Sequence, residues 1–217
     1  MEVYVSDILI SCLRWLIGLL VGSLLGIFFG LITFYLKPIN QMSKILFNFF
    51  RSIPIIGLVP VIQMAFGVSE FGKIGLISWG VFFPVWLSVQ SAMNRKIPEL
   101  ELVFKCIRLT LKEKIFVYHL PKVLGGIILG VQVGIGIGWL CVVAAELIGT
   151  FSQGFWAGGM GYKLFLAHDN NDWYTVLSIL FIFGLLGYLS STLWDKFLKS
   201  YIFKQKAFNP IIWIERG

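Results

Sequence analysis

Charged residues are so widely spaced in this chain that they divide it into long apolar runs. Ser52 to Ser69, Ile74 to Asn94, Val123 to Ala145 and Trp173 to Trp194 contain no Asp, Glu, Lys or Arg, and Ile8 to Leu36 contains only Arg14. A bilayer-crossing helix needs about 20 apolar residues. The pattern therefore predicts spans over about 8–36, 72–94, 123–148 and 173–195, and a further one over about 53–69. Pro54 and Pro60 interrupt the hydrogen-bond ladder of that further segment, so it is not expected to be one straight helix. The expected class is an all-α integral membrane protein with about five transmembrane helices.

Two spans carry glycine every fourth residue: Gly18, Gly22, Gly26 and Gly30 in one, and Gly126, Gly130, Gly134 and Gly138 in another. On a helix this repeat drifts slowly around the axis, leaving a groove into which another backbone can pack closely.

One interior segment breaks the apolar pattern: "PELELVFKCIRLTLKEKIFVYHLPK", Pro98 to Lys122. Pro98 suits a first helical turn. After it, Glu101, Lys105, Arg108 and Lys112 fall on one face, and Leu100, Val103, Phe104, Ile107 and Leu111 on the other. An amphipathic cytoplasmic helix is expected over about 98–114. It could lie on the inner leaflet or enter a partner's groove. The short proline-bounded connections favour a partner, because displacement of the helix would pass directly to the adjoining spans.

Composition agrees with a membrane protein: 58% of residues are hydrophobic and 13% charged, against about 25% charged in soluble domains. The net charge of +7 is a topology signal before it is a nucleic-acid signal. Fifteen of the eighteen basic residues lie in three segments: Lys37 to Arg51, Arg95 to Lys122, and Lys196 to Arg216. If these face the cytoplasm, the N-terminus is outside, the C-terminus is inside, and the loop from Gly149 to Asp172 is outside. The acidic start "MEVYVSD" and the length of the first apolar run do not read as a cleavable signal, so the mature chain is expected to begin near Met1.

Several chemical readings are weak. "GIGIGW" lies inside an apolar span with no preceding strand, so it is no dinucleotide loop, and no G-x-x-x-x-G-K-[ST] occurs. Cys12, Cys106 and Cys141 lack metal-type spacing. His168, Asp169 and Asp172 in "AHDNND" match no strong metal motif and read as a solvated outer loop.

The runs "SCLR", "FRSIPIIGLVPVIQMAFGVSEFGKIGLISWGVFFPVWLSV", "HLPKVLGGIILGVQVGIGIGWLCVVAAELIG" and "GMGYKLFL" together resemble the permease subunits of bacterial ABC importers for nitrate, sulfonate, taurine, bicarbonate and some vitamin precursors. The resemblance implies a type I importer transmembrane domain over 8–200, between a short extracytoplasmic N-terminus (1–7) and a basic cytoplasmic tail (201–217). It implies two permease chains, homodimeric or heterodimeric, with separate ATPase subunits holding ATP and Mg, and an extracytoplasmic solute-binding protein. No catalytic residue, metal or cofactor is expected in this chain. The cytoplasmic segment becomes the coupling helix, with Leu100, Glu101, Val103, Phe104, Lys105, Ile107, Arg108 and Leu111 as candidate contacts and Leu120 and Pro121 as its exit. The family signature has Glu-Ala-Ala and a Gly where this chain has Leu102-Val103-Phe104 and Arg108, so the docking surface is bulkier. The family also begins with one further helix, whose place a partner chain could fill. An ion-coupled carrier and a non-transporting scaffold are the alternatives in other classes.

Arg14 and Glu146 should both sit near the outer boundary, where charges are costly unless paired or wet, and an Arg14–Glu146 ion pair is expected, for bracing or for gating. The proline-broken segment is the candidate translocation path, because freed backbone groups at membrane depth are tolerated only in protein or beside a wet cavity. Its candidate residues are Pro54, Pro60, Gln63 and Met64, with Gln90 and Gln132 on neighbouring spans. Each glutamine alone is more often an interhelical hydrogen-bond partner than a substrate ligand.

Overall fold

A computed structural model describes residues 5–35, 46–95, 120–148 and 158–206, with side chains at 5–34, 46–95, 123–148 and 158–198. The described residues form helices and no strand. The helices are α1 (Val5–Tyr35), α2 (Ile55–Phe66), α3 (Glu70–Asn94), α4 (Leu120–Glu146), α5 (Met160–Asp169) and α6 (Trp173–Lys206), with a further helical stretch over 46–51. The amphipathic segment expected over 98–114 lies outside the described residues, as do Cys106 and His119.

Among the described residues, four helices are long and apolar enough to cross a membrane: Val5–Phe34, Glu70–Asn94, Val123–Glu146 and Trp173–Leu198. The fifth candidate span is shorter than its apolar run. Pro54, extended at ψ 127°, stands before α2, and Gly67, at φ 63°, ends it after 12 residues. At 1.5 Å per residue α2 is about 18 Å long, well under the roughly 30 Å of bilayer hydrocarbon. The connection over 149–172 also contains a helix, α5, between Gly159 and the Asn170–Asn171 turn.

The core is α3 held between the two glycine stripes. A methyl on Gly18 would overlap Ile77. On Gly22 it would stand 2.9 Å from Val81 Cβ, on Gly26 2.8 Å from Val85 Cβ, and on Gly30 2.9 Å from Val89 Cγ1. Every step of four along α1 matches a step of four along α3, so these helices run parallel. On the other side the order reverses. Gly126 faces Val89 at 3.0 Å, Gly130 faces Val85 at 2.7 Å and Gly134 faces Val81 at 3.1 Å, so α4 is antiparallel to α3. Val81, Val85 and Val89, all fully buried, are thus each clasped by one glycine from α1 and one from α4.

Lipid tails are as apolar as valine, so no hydrophobic force drives these helices together. Close packing and interhelical hydrogen bonds do. The added methyls would also point at backbone oxygens, with Gly22 on Ser78, Gly26 on Phe82 and Gly126 on Ser88. In their absence the glycine Cα–H groups can face those carbonyls.

Polar side chains fix the ends of this sandwich. At one end Thr33 accepts hydrogen bonds from Trp86 Nε1 at 3.2 Å and Gln90 Nε2 at 3.4 Å. Towards the other, Trp15 stacks on Trp139 with ring centroids 5.0 Å apart, and its indole N–H donates to the Ile135 carbonyl. α6 joins through Trp139 Nε1 to Ser190 and Gln132 Nε2 to Asp195, at 3.1 and 3.2 Å. Its other face, including Leu177, Phe181, Tyr188 and Phe197, is exposed.

Candidate functional site

The buried polar and glycine positions of α1 form one stripe: Asp7, Ser11, Arg14, Gly18, Gly22, Gly26, Gly30 and Thr33, spaced by three or four residues. Its first three members are polar, and they meet the start of α3, the end of α4 and the start of α5 in a buried ion cluster. Ser69 caps α3 by accepting from the Gly72 amide at 3.2 Å. That cap places Glu70 and Lys73 in the first turn of α3, beside Arg14.

Arg14, 5% exposed, divides its guanidinium between two carboxylates. Nη1 donates to Glu146 Oε1 at 3.0 Å, Nε donates to Glu70 Oε2 at 2.7 Å, and Nη2 reaches Glu70 Oε1. Nη1 also donates to the Gly158 carbonyl. Lys73 Nζ lies 3.3 Å from Glu70 Oε1 and Lys163 Nζ 2.8 Å from Asp7 Oδ2. Three cations, Arg14, Lys73 and Lys163, therefore face three carboxylates, Asp7, Glu70 and Glu146. Their balance is what makes burial tolerable, since an unpaired buried charge is far more costly than a pair.

The cluster also caps α5. Gly159 has no side chain to do so. Instead its own amide donates to Asp7 Oδ1 at 3.4 Å, the Met160 amide to Ser11 Oγ at 3.0 Å and the Gly161 amide to Glu146 Oε2 at 2.6 Å. Orphan N–H groups at a helix start, and the partial positive charge they carry, are thus met by groups from α1 and α4. Gly159 is at φ +122°, where a side chain is strained, and a methyl there would run into Glu146 Oε1 and stand 2.7 Å from Arg14 Nη1.

Both oxygens of Glu146 are engaged: Oε1 by Ser11 Oγ at 2.7 Å and by Arg14, Oε2 by Gly161. The Ser11 hydroxyl beside that carboxylate is itself held by the Met160 amide, and the arrangement ties four helices at one end of the bundle.

The structure therefore brings Arg14 and Glu146 together, and adds Asp7, Ser11, Glu70, Lys73 and Lys163, which the sequence reading did not select. Asp7 and Ser11 could have been found by extending the glycine spacing backwards through Arg14. The candidate path residues do not form one group. Pro54 precedes α2 and Pro60 lies within it; Gln63 is half-buried and Met64 is 89% exposed. Gln90 is buried on Thr33, and Gln132 is bonded to Asp195. Cys141 is buried against Gly80 and Cys12 is half-buried. His168 and Asp169 end α5, and Asp172 caps α6, accepting from the Thr175 amide at 3.2 Å and hydroxyl at 2.6 Å. The Thr175 hydroxyl, with its amide, holds the Asp172 carboxyl below its ordinary range. Leu120 and Pro121 open α4, and the remaining candidate coupling residues lie outside the described residues.

Comparison with known proteins agrees with this architecture. The family model described as "Binding-protein-dependent transport system inner membrane component" matches residues 22–202. The chain is 29% identical over 183 residues to the putative aliphatic sulfonates transport permease protein SsuC of Bacillus subtilis, covering 84% of this chain and 64% of that protein. It is 24% identical over 185 residues to the nitrate import permease protein NrtB of Synechococcus elongatus, covering 83% and 64%. It is 23% identical over 172 residues to the bicarbonate transport system permease protein CmpB of the same species, covering 79% and 60%. The chain thus spans less than two thirds of the length of each of these relatives. With four helices among the described residues long and apolar enough to cross a membrane, and a family match across most of its length, the chain belongs to the family of binding-protein-dependent transport system inner membrane components.

Proposed function

We propose that the chain is the pore-forming permease subunit of an ATP-driven ABC importer for a small anion. The family match over 22–202 carries this reading, and the permeases it resembles are named for sulfonates, nitrate and bicarbonate. The composition of the spans supports it against an ion-coupled carrier. Such carriers keep ionisable side chains near the middle of their spans, whereas the charged groups described on the four long spans gather towards helix ends; Arg51, on the short stretch before α2, is the exception.

In this reading the subunit does no chemistry itself. ATP and Mg belong to partner ATPase chains that engage the amphipathic segment over 98–114, through Leu100, Val103, Phe104, Ile107 and Leu111 on its apolar face and Glu101, Lys105 and Arg108 on its charged one. With the basic segments other than Arg51 in the cytoplasm, the start of α1 is outside and the C-terminus inside. The ion cluster then lies at the end that meets an extracytoplasmic binding protein, and it braces that end. Solute passes beside the proline-broken segment before and within α2, between this chain and a second permease chain.

The test is capture of the ATPase through the intact permease in detergent. Copurification with the wild-type chain, lost when Val103, Phe104 and Ile107 are replaced by Asp, is the expected result. Undiminished capture by the triple variant would remove the coupling assignment.

A further inference from the structure

A second polar feature stands at membrane depth, and the ion cluster does not use it. The helical stretch 46–51 stops at Ser52 and Ile53, and α2 begins at Ile55, whose Cδ1 stands 3.4 Å from where a methyl on Gly80 would be. Gly80 is ten residues along α3 from Glu70, about 15 Å at 1.5 Å per residue. The break before α2 is therefore deep in the thickness that α3 crosses.

Against the break lies a cavity of about 360 Å³ between α3 and α4, lined by Arg51, Trp79, Phe83, Ser88, Val133 and Ile137 among others. It extends as far as Ser88, about 27 Å along α3 from Glu70. Its walls are largely aromatic and aliphatic. Trp79 meets Phe50 and Phe83 edge to face, with centroids 5.8 and 5.1 Å apart. Arg51 is the one charged residue in the lining. It is exposed, and unlike Arg14, Lys73 and Lys163 it makes no ion pair or side-chain hydrogen bond among the described residues.

A guanidinium at this depth requires a counter-charge or water, and it carries five donors and no acceptor. Low-dielectric walls concentrate its field in the cavity, and no carboxylate in the lining competes for it. We propose that this cavity is an anion-binding site in which Arg51 holds a small monovalent anion against the Trp79 and Phe83 wall. That the anion is the transported solute rests on the permease reading above; that the cavity selects anions does not.

Trp79 supplies the readout. The full-length chain in lipid nanodiscs is titrated with sodium iodide, and separately with neutral acrylamide, at constant ionic strength. The Trp79 contribution is taken as the difference from a Trp79→Phe chain. Iodide is expected to quench Trp79 more strongly than acrylamide does. In Arg51→Gln that preference falls by roughly tenfold, the low end of what a focused charge does to local counter-ion concentration, and in Arg51→Lys most of it remains. Iodide quenching unchanged in Arg51→Gln, or matched by acrylamide in the wild-type chain, overturns the proposal. Because Arg51 is exposed, these substitutions leave the packed core intact, and size-exclusion profiles check this. Failure to capture an ATPase would overturn the importer reading and leave the quenching result to decide the site.

Discussion

The Arg14 guanidinium lies 3.0 Å from the Glu146 carboxylate, across 132 positions of chain, and both are almost wholly buried, at 5% and 1% exposure. Glu70, the second partner of Arg14, keeps a side chain 40% exposed. The two carboxylates should therefore respond differently to loss of the cation.

Arg14→Met removes the charge while keeping an unbranched apolar side chain, leaving Glu146 buried without its cation. Breaking a buried pair in this way costs about 3–5 kcal/mol. Thermal unfolding in detergent should show a large loss for Arg14→Met. Glu70→Gln should also cost stability, since it takes a carboxylate from Lys73, whose side chain is 1% exposed, although Arg14 keeps Glu146. A neutral Arg14→Met would contradict the pairing.

Gly26 and Gly130 should resist even a methyl group. Alanine at either presses on Val85 and on backbone, and overpacking of this kind costs about 1–3 kcal/mol. Nothing lies within 4 Å of a methyl on Gly136. Gly136→Ala should therefore be neutral or stabilising, by up to about 1 kcal/mol from helix propensity. Unfolding midpoints of the three variants check the contrast, and Val85→Ala, which keeps the Cβ and the Phe82 and Trp86 backbone that the methyl meets, should not rescue Gly26→Ala.

Gly159→Ala combines a strained backbone with a methyl driven into Glu146. Its damage and that of Arg14→Met fall on the same group, so the double variant should lose less than the sum of the two. A double-mutant cycle measures this, and simple additivity would mean that Gly159 acts outside the cluster.

Asp172 supplies a pH dependence of known sign. Thr175 lowers its folded value, so its contribution to the start of α6 is complete above the unfolded value of about 3.9 and is lost as pH falls through the lower folded value. Amide protection in the first turn of α6, taken relative to the intrinsic exchange rate at each pH, should fall on acidification over that range, and Asp172→Asn should flatten the response.

The helical class, the long spans and the glycine stripes were legible because each rests on spacing or run length. What the stripes pack against was not. α3 is apolar around most of its circumference, so its sequence does not mark Val81, Val85 and Val89 as the shared face. Glu70 and Lys73 read as the boundary between two apolar runs, since nothing local shows that Ser69 starts a helix aimed at Arg14. The run over 53–69 looked long enough to cross a bilayer. Apolar length does not reveal that Pro54 and Gly67 leave only 12 helical residues.

The even spacing of the clasp has one more consequence. A toothed rack engages equally well one tooth along, and here a tooth is four residues, about 6 Å of helix axis. Slid by one repeat against α1, α3 would still set valines over glycines at most positions, so the middle of the interface indexes its own alignment weakly. Alignment is fixed by the stops: the salt bridge of Arg14 with Glu70 at one end, and the two donors on Thr33 at the other. Release of both would free α3 to index along a track whose next position is already cut.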